Sequence, residues 1–330
     1  MLRSPSQSRQ YGLQSACHSI APHHLEEVIA VPAYASARGP QLYISTDRAS
    51  WLWSGDADFP LCISHRSLCG YDTLKPATGR WMLSSGSLGE LCRYGRLVTS
   101  TRYYVAAVAR YDAEIGGLDW AAPPDWPCHD AVLRGGHLGE LACAGTALSA
   151  GEHQTRTVDG FLEVTRIWPE LAHQESPCGP AASPFMPVVH GVDPEDFIHC
   201  AQLYEDAGVR LADHQVVGVG SVCQRNSSAE IAEIAAALAP LGLALHWFGV
   251  KLATTTAASL TSYDVDIDGK RYDAGTVSLN TGAWSAAASH RERLPGCTHV
   301  NPRTGKPSQC TNCPVFASAW RRQKLDLFAA

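Results

Sequence analysis

Three cysteines and one histidine near the end of the chain have the residue types and spacing of a metal site: Cys297-x-His299, then Cys310-x-x-Cys313. A Cys-x-x-Cys pair presents two thiolates from one tight turn, and zinc takes four soft or borderline donors in a tetrahedron. The intervening Asn301–Gln309 is rich in polar residues, Pro and Gly, an irregular loop that a metal can close. The spacing predicts a structural Cys3His zinc. With every ligand drawn from protein no position is left for water, so the ion would hold the fold and take no part in catalysis. His290 competes with His299 as the nitrogen ligand.

The rest of the 330-residue chain alternates short apolar runs with amphipathic stretches of helix length, the pattern of parallel strands joined by crossover helices. Strands are predicted at Leu42–Ser45, Leu61–Ser64, Trp81–Ser85, Leu118–Ala121, Phe185–His190, Val216–Val222, Leu243–Val250 and Val277–Thr281. Helices are predicted at Ser100–Ile115, Glu152–Trp168, Asp193–Ala207 and Ser227–Leu241. Asp193-Pro194-Glu195-Asp196 joins an N-cap, a proline at the first helical position and acids in the first turn; Gly208 ends that helix and Gly242 the next. Eight strands with helices between them predict an α/β fold, a (β/α)8 TIM barrel, with a doubly wound sheet as the alternative. The expected organisation is a flexible extension over 1–40, a barrel over 41–285 and a zinc-bearing module over 286–330.

Barrel chemistry sits at the C-terminal ends of the strands, which directs attention to Ser84–Gly86, Asp125, His190–Gly191, Gly218–Ser221, Lys251 and Asn280. Cys128–Ala150 and Leu252–Thr276 exceed ordinary βα loops and are expected to be lids or insertions. Within the second, Tyr263–Lys270 has acids at calcium-loop spacing but no glutamate at the twelfth position, so a hairpin turning at Asp268-Gly269 is expected instead.

Composition excludes several classes. Hydrophobic residues make up 45% and charged residues 18%, with no apolar run near the ~18 residues of a membrane span. Met1–Pro40 lacks the apolar stretch of a secretory signal, and a cytoplasmic protein is expected. Cys17, Cys62, Cys69, Cys92, Cys128, Cys143, Cys178, Cys200 and Cys223 are scattered singly and read as small buried hydrophobes. The net charge of −6 opposes nucleic-acid binding by the whole surface, yet Ala286–Leu325 holds seven basic residues against Glu292, a stretch suited to phosphate.

Several short motifs, in this order, carry a family resemblance: Leu83-Ser84-Ser85-Gly86-Ser87-Leu88-Gly89-Glu90-Leu91, Gly116–Cys128, Glu152–Val158, Pro187-Val188-Val189-His190-Gly191, Val217–Cys223, Phe248-Gly249-Val250-Lys251, Ala283-Trp284-Ser285 and the zinc segment. Together they resemble the tRNA-guanine transglycosylases, in particular the DNA-acting DpdA-type branch that installs 7-deazaguanine bases. The resemblance implies base exchange: an aspartate attacks the anomeric carbon, guanine leaves, and a deazaguanine attacks the covalent sugar intermediate. It also implies where this chain departs. Ser84 stands at the proton-transferring aspartate, and Asn280 at the nucleophile if the match is ungapped. Aligning Leu260–Asp264 with the nucleophile strand instead restores a carboxylate at Asp264. Asp125 resembles the carboxylate that reads the purine edge, Gly218 and Gly220 admit a planar base, and His190 replaces a glutamine; Ser85, Gly86 and Gly191 complete the implied substrate site. The implied partners are nucleic acid, DNA ahead of tRNA, a 7-deazaguanine base and proteins of a DNA-modification system. The competing expectation is an inactive paralogue that binds a base or nucleic acid beside an active partner.

Overall fold

The computed structural model describes residues 40–175, 182–225, 227–251, 265–267, 270–272, 275–290, 297, 298, 300, 305 and 310–329. Its frame is eight short strands: β1 Gln41–Thr46, β2 Leu61–Ser64, β3 Trp81–Ser84, β4 Leu118–Ala121, β5 Val188–Val189, β6 Val217–Val219, β7 Leu245–Trp247 and β8 Thr276–Thr281. Each lies within, or one residue beyond, an apolar run expected to be a strand. All pairings are parallel and the order is β4-β3-β2-β1-β8-β7-β6-β5. The first strand therefore pairs with the last, with Tyr43 opposite Asn280. The two edges also meet: the Ala121 amide donates to the Pro184 carbonyl at 2.8 Å, and the Ala121 carbonyl accepts from the Met186 amide at 3.1 Å. This curled parallel sheet is a TIM-like barrel and not a doubly wound sheet.

Alternation along the strands separates two cores. Tyr43, Cys62, Met82, Trp120, Met186 and Val188 form one apolar cluster. Their chain neighbours Leu42, Ile44, Leu61, Ile63, Trp81, Leu83 and Val189 belong to a second cluster shared with the helices, through Tyr104, Val108, Phe161, Phe197 and Ile231. A single polar substitution in the second set would open the helix layer, whereas the first set fills the barrel itself.

The helices are α1 His65–Leu68, α2 Ser87–Tyr94, α3 Thr101–Ile115, α4 Asp130–Arg134, α5 Ala150–Glu175, α6 Pro194–Asp206, α7 Ser228–Leu238, α8 Ala283–Ser289 and α9 Pro314–Ala329. Ser100, Asp193 and Ser227 accept from the amides of Tyr103, Asp196 and Glu230, so the expected N-cap at Asp193 holds and Ser100 and Ser227 cap their helices in the same way. Helix α5 starts before the expected Glu152 because Ser149 and Glu152 make a reciprocal capping box, at 3.2 and 2.8 Å. It then continues through Pro169.

The interval Cys128–Ala150 contains α4 and a small hairpin, Gly136–Leu138 against Leu141–Cys143. It packs on α2 through Leu91, Cys92, Trp126, Val132 and Cys143. Here the expectation of unpaired cysteines is corrected: Cys92 and Cys143 form a disulfide between α2 and this hairpin. In the second interval, Val265–Ile267 pairs antiparallel with Lys270–Tyr272, the expected hairpin; its turn residues and Asp264 lie outside the described residues.

The C-terminal helix docks on the barrel. Phe316, Ala317 and Trp320 join the helix-layer core, Ser318 donates to Asp58 at 3.0 Å, and the Arg321 guanidinium donates to the Leu42 carbonyl at 2.9 Å. Arg321 is thus committed to the barrel, which corrects its assignment to a phosphate-facing surface; Arg291, Arg293, Arg303 and Lys306 lie outside the described residues. Among the described residues no helix is long and apolar enough to cross a membrane.

Trp81 is fully buried and its indole donates to the Gly116 carbonyl at 2.8 Å. Trp81→Ala should lower the unfolding free energy by about 3–5 kcal/mol, and Met82→Leu by less than about 1.5 kcal/mol, read from urea denaturation followed by circular dichroism.

Candidate functional site

The C-terminal ends of six barrel strands converge on a cavity of about 200 Å³. Ser84, Ser85 and the start of α2 contribute from β3, Asp125 from β4, His190 from β5, Gly220 and Ser221 from β6, Phe248 and Gly249 from β7, and Asn280 from β8. Each lies at or just beyond a strand end, where the chain leaves the sheet and side chains face the barrel mouth.

Asp125 is the one carboxylate among the described lining residues, and both its oxygens are oriented. Ser85 donates its hydroxyl to Oδ1 at 2.8 Å, and His190 Nε2 lies 2.9 Å from Oδ2. Behind Ser85, the Ser87 amide donates to the Ser85 hydroxyl at 3.3 Å, and Ser87 in turn accepts from the Asp125 amide at 3.2 Å. Because Ser85 already accepts from an amide, its own hydrogen is available to the carboxylate, and Asp125 is an acceptor on both sides. Gly220 lets the His190 ring lie flat on the backbone: a Cβ there would sit 2.1 Å from His190 Cε1.

On the opposite wall Asn280 is held as an amide. Its Oδ1 accepts from His246 Nε2 at 3.0 Å and from the Gly249 amide at 3.2 Å, while its Nδ2 donates to Ser45 at 2.8 Å. His246 Nδ1 pairs with the Ser278 hydroxyl at 2.8 Å. Burial pushes the His246 imidazole down to about 4, against a smaller opposing effect of the Asn280 bond, so this histidine is neutral. His129 and Cys223 form a second neutral pair at the cavity wall, 3.2 Å apart. Burial drives His129 down to about 4, with help from the nearby His190 and Arg225, and drives the Cys223 thiol up to about 11. Neutral partners of this kind do not generate a thiolate nucleophile.

Of the residues singled out in the sequence, Ser84, Ser85, Gly86, Asp125, His190, Gly220 and Asn280 line this cavity together. Gly191 and Gly218 are outside its lining. Gly191 makes room for Phe197 and Asp196, and Gly218 for the Phe248 ring, 2.6 Å from where a Cβ would be. Phe248 and Cys223 fall inside the resemblance motifs without a role of their own there, and nothing in the sequence singled out His129. Asp264 and His299 lie outside the described residues. Ser84 and Asn280 cannot ionise as carboxylic acids do, so the described cavity can bind a flat, donor-bearing ligand but contains no free carboxylate nucleophile among its described residues.

Residues 39–328 match the protein family DpdA, described as DeoxyPurine in DNA protein A. No curated protein matches the chain. Among solved structures, the carboxyl transferase domain of Rhizobium etli pyruvate carboxylase with pyruvate is similar at 11% identity, covering 87% of this chain and 48% of that one, with a TM-score of 0.31. A single-substitution variant of the same domain gives 11% identity, 86% and 49% coverage and a TM-score of 0.33. The chain spans about half the length of those structures.

The neutral histidines imply a pH dependence of stability. For His246 the folded value of about 4 lies below the ordinary 6.5, so the unfolded chain takes the proton first. This contribution is complete above about 6.5 and is lost as pH falls through about 4, and is worth roughly 3 kcal/mol. The urea midpoint of the wild type should fall across that window. His246→Gln, which keeps a donor and an acceptor but does not titrate, should flatten the fall; a wild-type midpoint independent of pH would contradict the assignment.

Proposed function

The chain belongs to the DpdA family, and we propose that it acts in the exchange of guanine for a 7-deazaguanine derivative in DNA, holding the base in the cavity around Asp125. The observation that carries this reading is the oriented Asp125 carboxylate at the edge of a cavity that also presents Phe248 and Leu88. A flat base with adjacent N–H groups meets there an acceptor and apolar faces at once.

Exchange requires an oxygen anion that bonds to the anomeric carbon as the guanine departs with the glycosidic electron pair; the incoming base then reverses the step. Asn280 and Ser84 do not supply that anion. We assign it to Asp264, in the connection between β7 and β8. The strand that pairs with β1 is β8, Thr276–Thr281, and Asp264 precedes it in the sequence, so the acid would enter from the inserted segment. DNA is favoured over tRNA by the family description.

One observation favours a second reading, a base-binding paralogue beside an active partner: Asn280 is built into its wall as an amide, with Oδ1 and Nδ2 both engaged. The nucleoside composition of DNA from cells given a 7-deazaguanine supply separates the two. Under the first reading the wild type deposits a deazaguanine nucleoside and Asp264→Asn deposits none, a loss of several powers of ten in rate. A wild type that deposits none, yet binds guanine when purified, establishes the second.

A structural zinc on Cys297, His299, Cys310 and Cys313 belongs to the same proposal. Its support is the donor set: Cys310 and Cys313 are free of disulfides, Cys310 is buried, and the Cys313 amide donates to the Cys310 carbonyl at 3.1 Å across a tight turn. Among the described residues no group of three or more His, Cys, Asp or Glu is gathered for a metal. When bound, zinc would tie the turn at Cys310–Asn312, and with it the start of α9, to the preceding segment. Elemental analysis of the purified chain should find zinc in a one-to-one ratio, and Cys310→Ser or Cys313→Ser should lose it and lower the melting temperature. Zinc-free folded protein would refute this.

A further inference from the structure

We infer that Ser221 is a positioning residue: its hydroxyl holds the Nδ1 side of the His190 ring and thereby keeps Nε2 against the Asp125 carboxylate that faces the bound base. This rests on the base-binding reading above. Ser221 lies just past β6 with φ +58°, a left-handed conformation that a serine adopts only at a conformational cost and that glycine adopts freely. What serine has and glycine lacks is the hydroxyl, and here it is fully used. The Cys128 amide donates to Ser221 Oγ at 2.8 Å, and His190 Nδ1 lies 2.9 Å from the same oxygen.

The hydrogens along this chain are determined by its ends. An amide can only donate, so Ser221 accepts from Cys128 and its own hydrogen is available to His190. An ionised carboxylate can only accept, so His190 Nε2 carries the hydrogen that faces Asp125, and the Ser221 hydroxyl is the partner of Nδ1. The His190 backbone is held from behind, its carbonyl accepting from Gln154 at 2.8 Å and its amide donating to Cys200 at 3.4 Å. The ring itself rests on Gly220. The backbone of His190 is therefore set by other groups, and Ser221 holds the Nδ1 side of its ring. The result is a continuous run of hydrogen bonds, Cys128 amide to Ser221 to His190 to Asp125, that meets the shorter run from Ser87 through Ser85 on the other carboxylate oxygen. Hydrogen bonds aligned in this way polarise one another, strengthening the acceptor at the end.

The test is Ser221→Gly in the full chain, with three readouts: melting temperature, nitrogen NMR of labelled histidine, and calorimetric titration with guanine. Glycine suits the left-handed backbone but leaves the Cys128 amide without its acceptor, so folding is retained with a lowered melting temperature. The wild type should show the His190 Nε2–H as one slowly exchanging signal in its bond to Asp125, and in the variant that signal should broaden or be lost, with guanine affinity lower by about tenfold. A purely structural role would lower the melting temperature and leave the His190 signals unchanged. Unchanged His190 signals in Ser221→Gly overturn the inference whether or not guanine binds. A wild type that fails to bind guanine, with the change at His190 still present in the variant, refutes the base-binding reading and retains the role of Ser221.

Discussion

The two hydrogen bonds between Ala121 and the Pro184–Met186 segment decide the site. They bring the end of β4 against the approach to β5, two pieces of chain separated by the whole of α3's partner helix α5 and the small hairpin. Asp125 lies four residues past Ala121, and His190 follows the same β5 segment, so closing the barrel at this seam places carboxylate and imidazole 2.9 Å apart. Had the sheet stayed open, the two residues would sit on opposite edges. The insertion after β4 then serves the seam: its first residue, Cys128, donates to Ser221, and Gln154 on α5 holds the His190 carbonyl.

A second constraint is the polarity of the upper barrel. Near the C-terminal ends of β7, β8 and β1 the interior is occupied by His246, Ser278, Asn280 and Ser45, each paired with another, whereas the rest of the interior is Tyr43, Cys62, Met82 and Trp120. Buried polar groups persist only when paired. That rule makes Asn280 part of a fixed wall, and it accounts for the neutral state of His246, whose charge would have no compensating carboxylate there.

The fold was legible because the strands are short apolar runs bounded by turn residues, with caps such as Asp193-Pro194 marking helix starts; all eight strands fall where the runs are. Asp125, His190 and Asn280 were legible as strand-end residues once a barrel was expected. The role of Ser221 was not, because it depends on a positive φ and on an amide 93 residues away in the chain, neither of which leaves a local pattern. The Cys92–Cys143 pairing was equally hidden, since two single cysteines 51 residues apart carry no spacing signal. Gly191 and Gly218 misled for a related reason: a glycine beside a motif serves packing against Phe197 or Phe248 as readily as it serves a ligand.

The central claim is that this member of the DpdA family reads a purine-type base with Asp125. Calorimetric titration of guanine into the purified wild type and into Asp125→Asn addresses it directly. The amide keeps the shape and can still accept on one side, but it presents a donor where the base offers N–H groups. The account predicts one site per chain in the wild type and a loss of about 30-fold or more in the variant, the cost of a charged hydrogen bond replaced by a donor facing a donor. Equal affinity in the two proteins would contradict it.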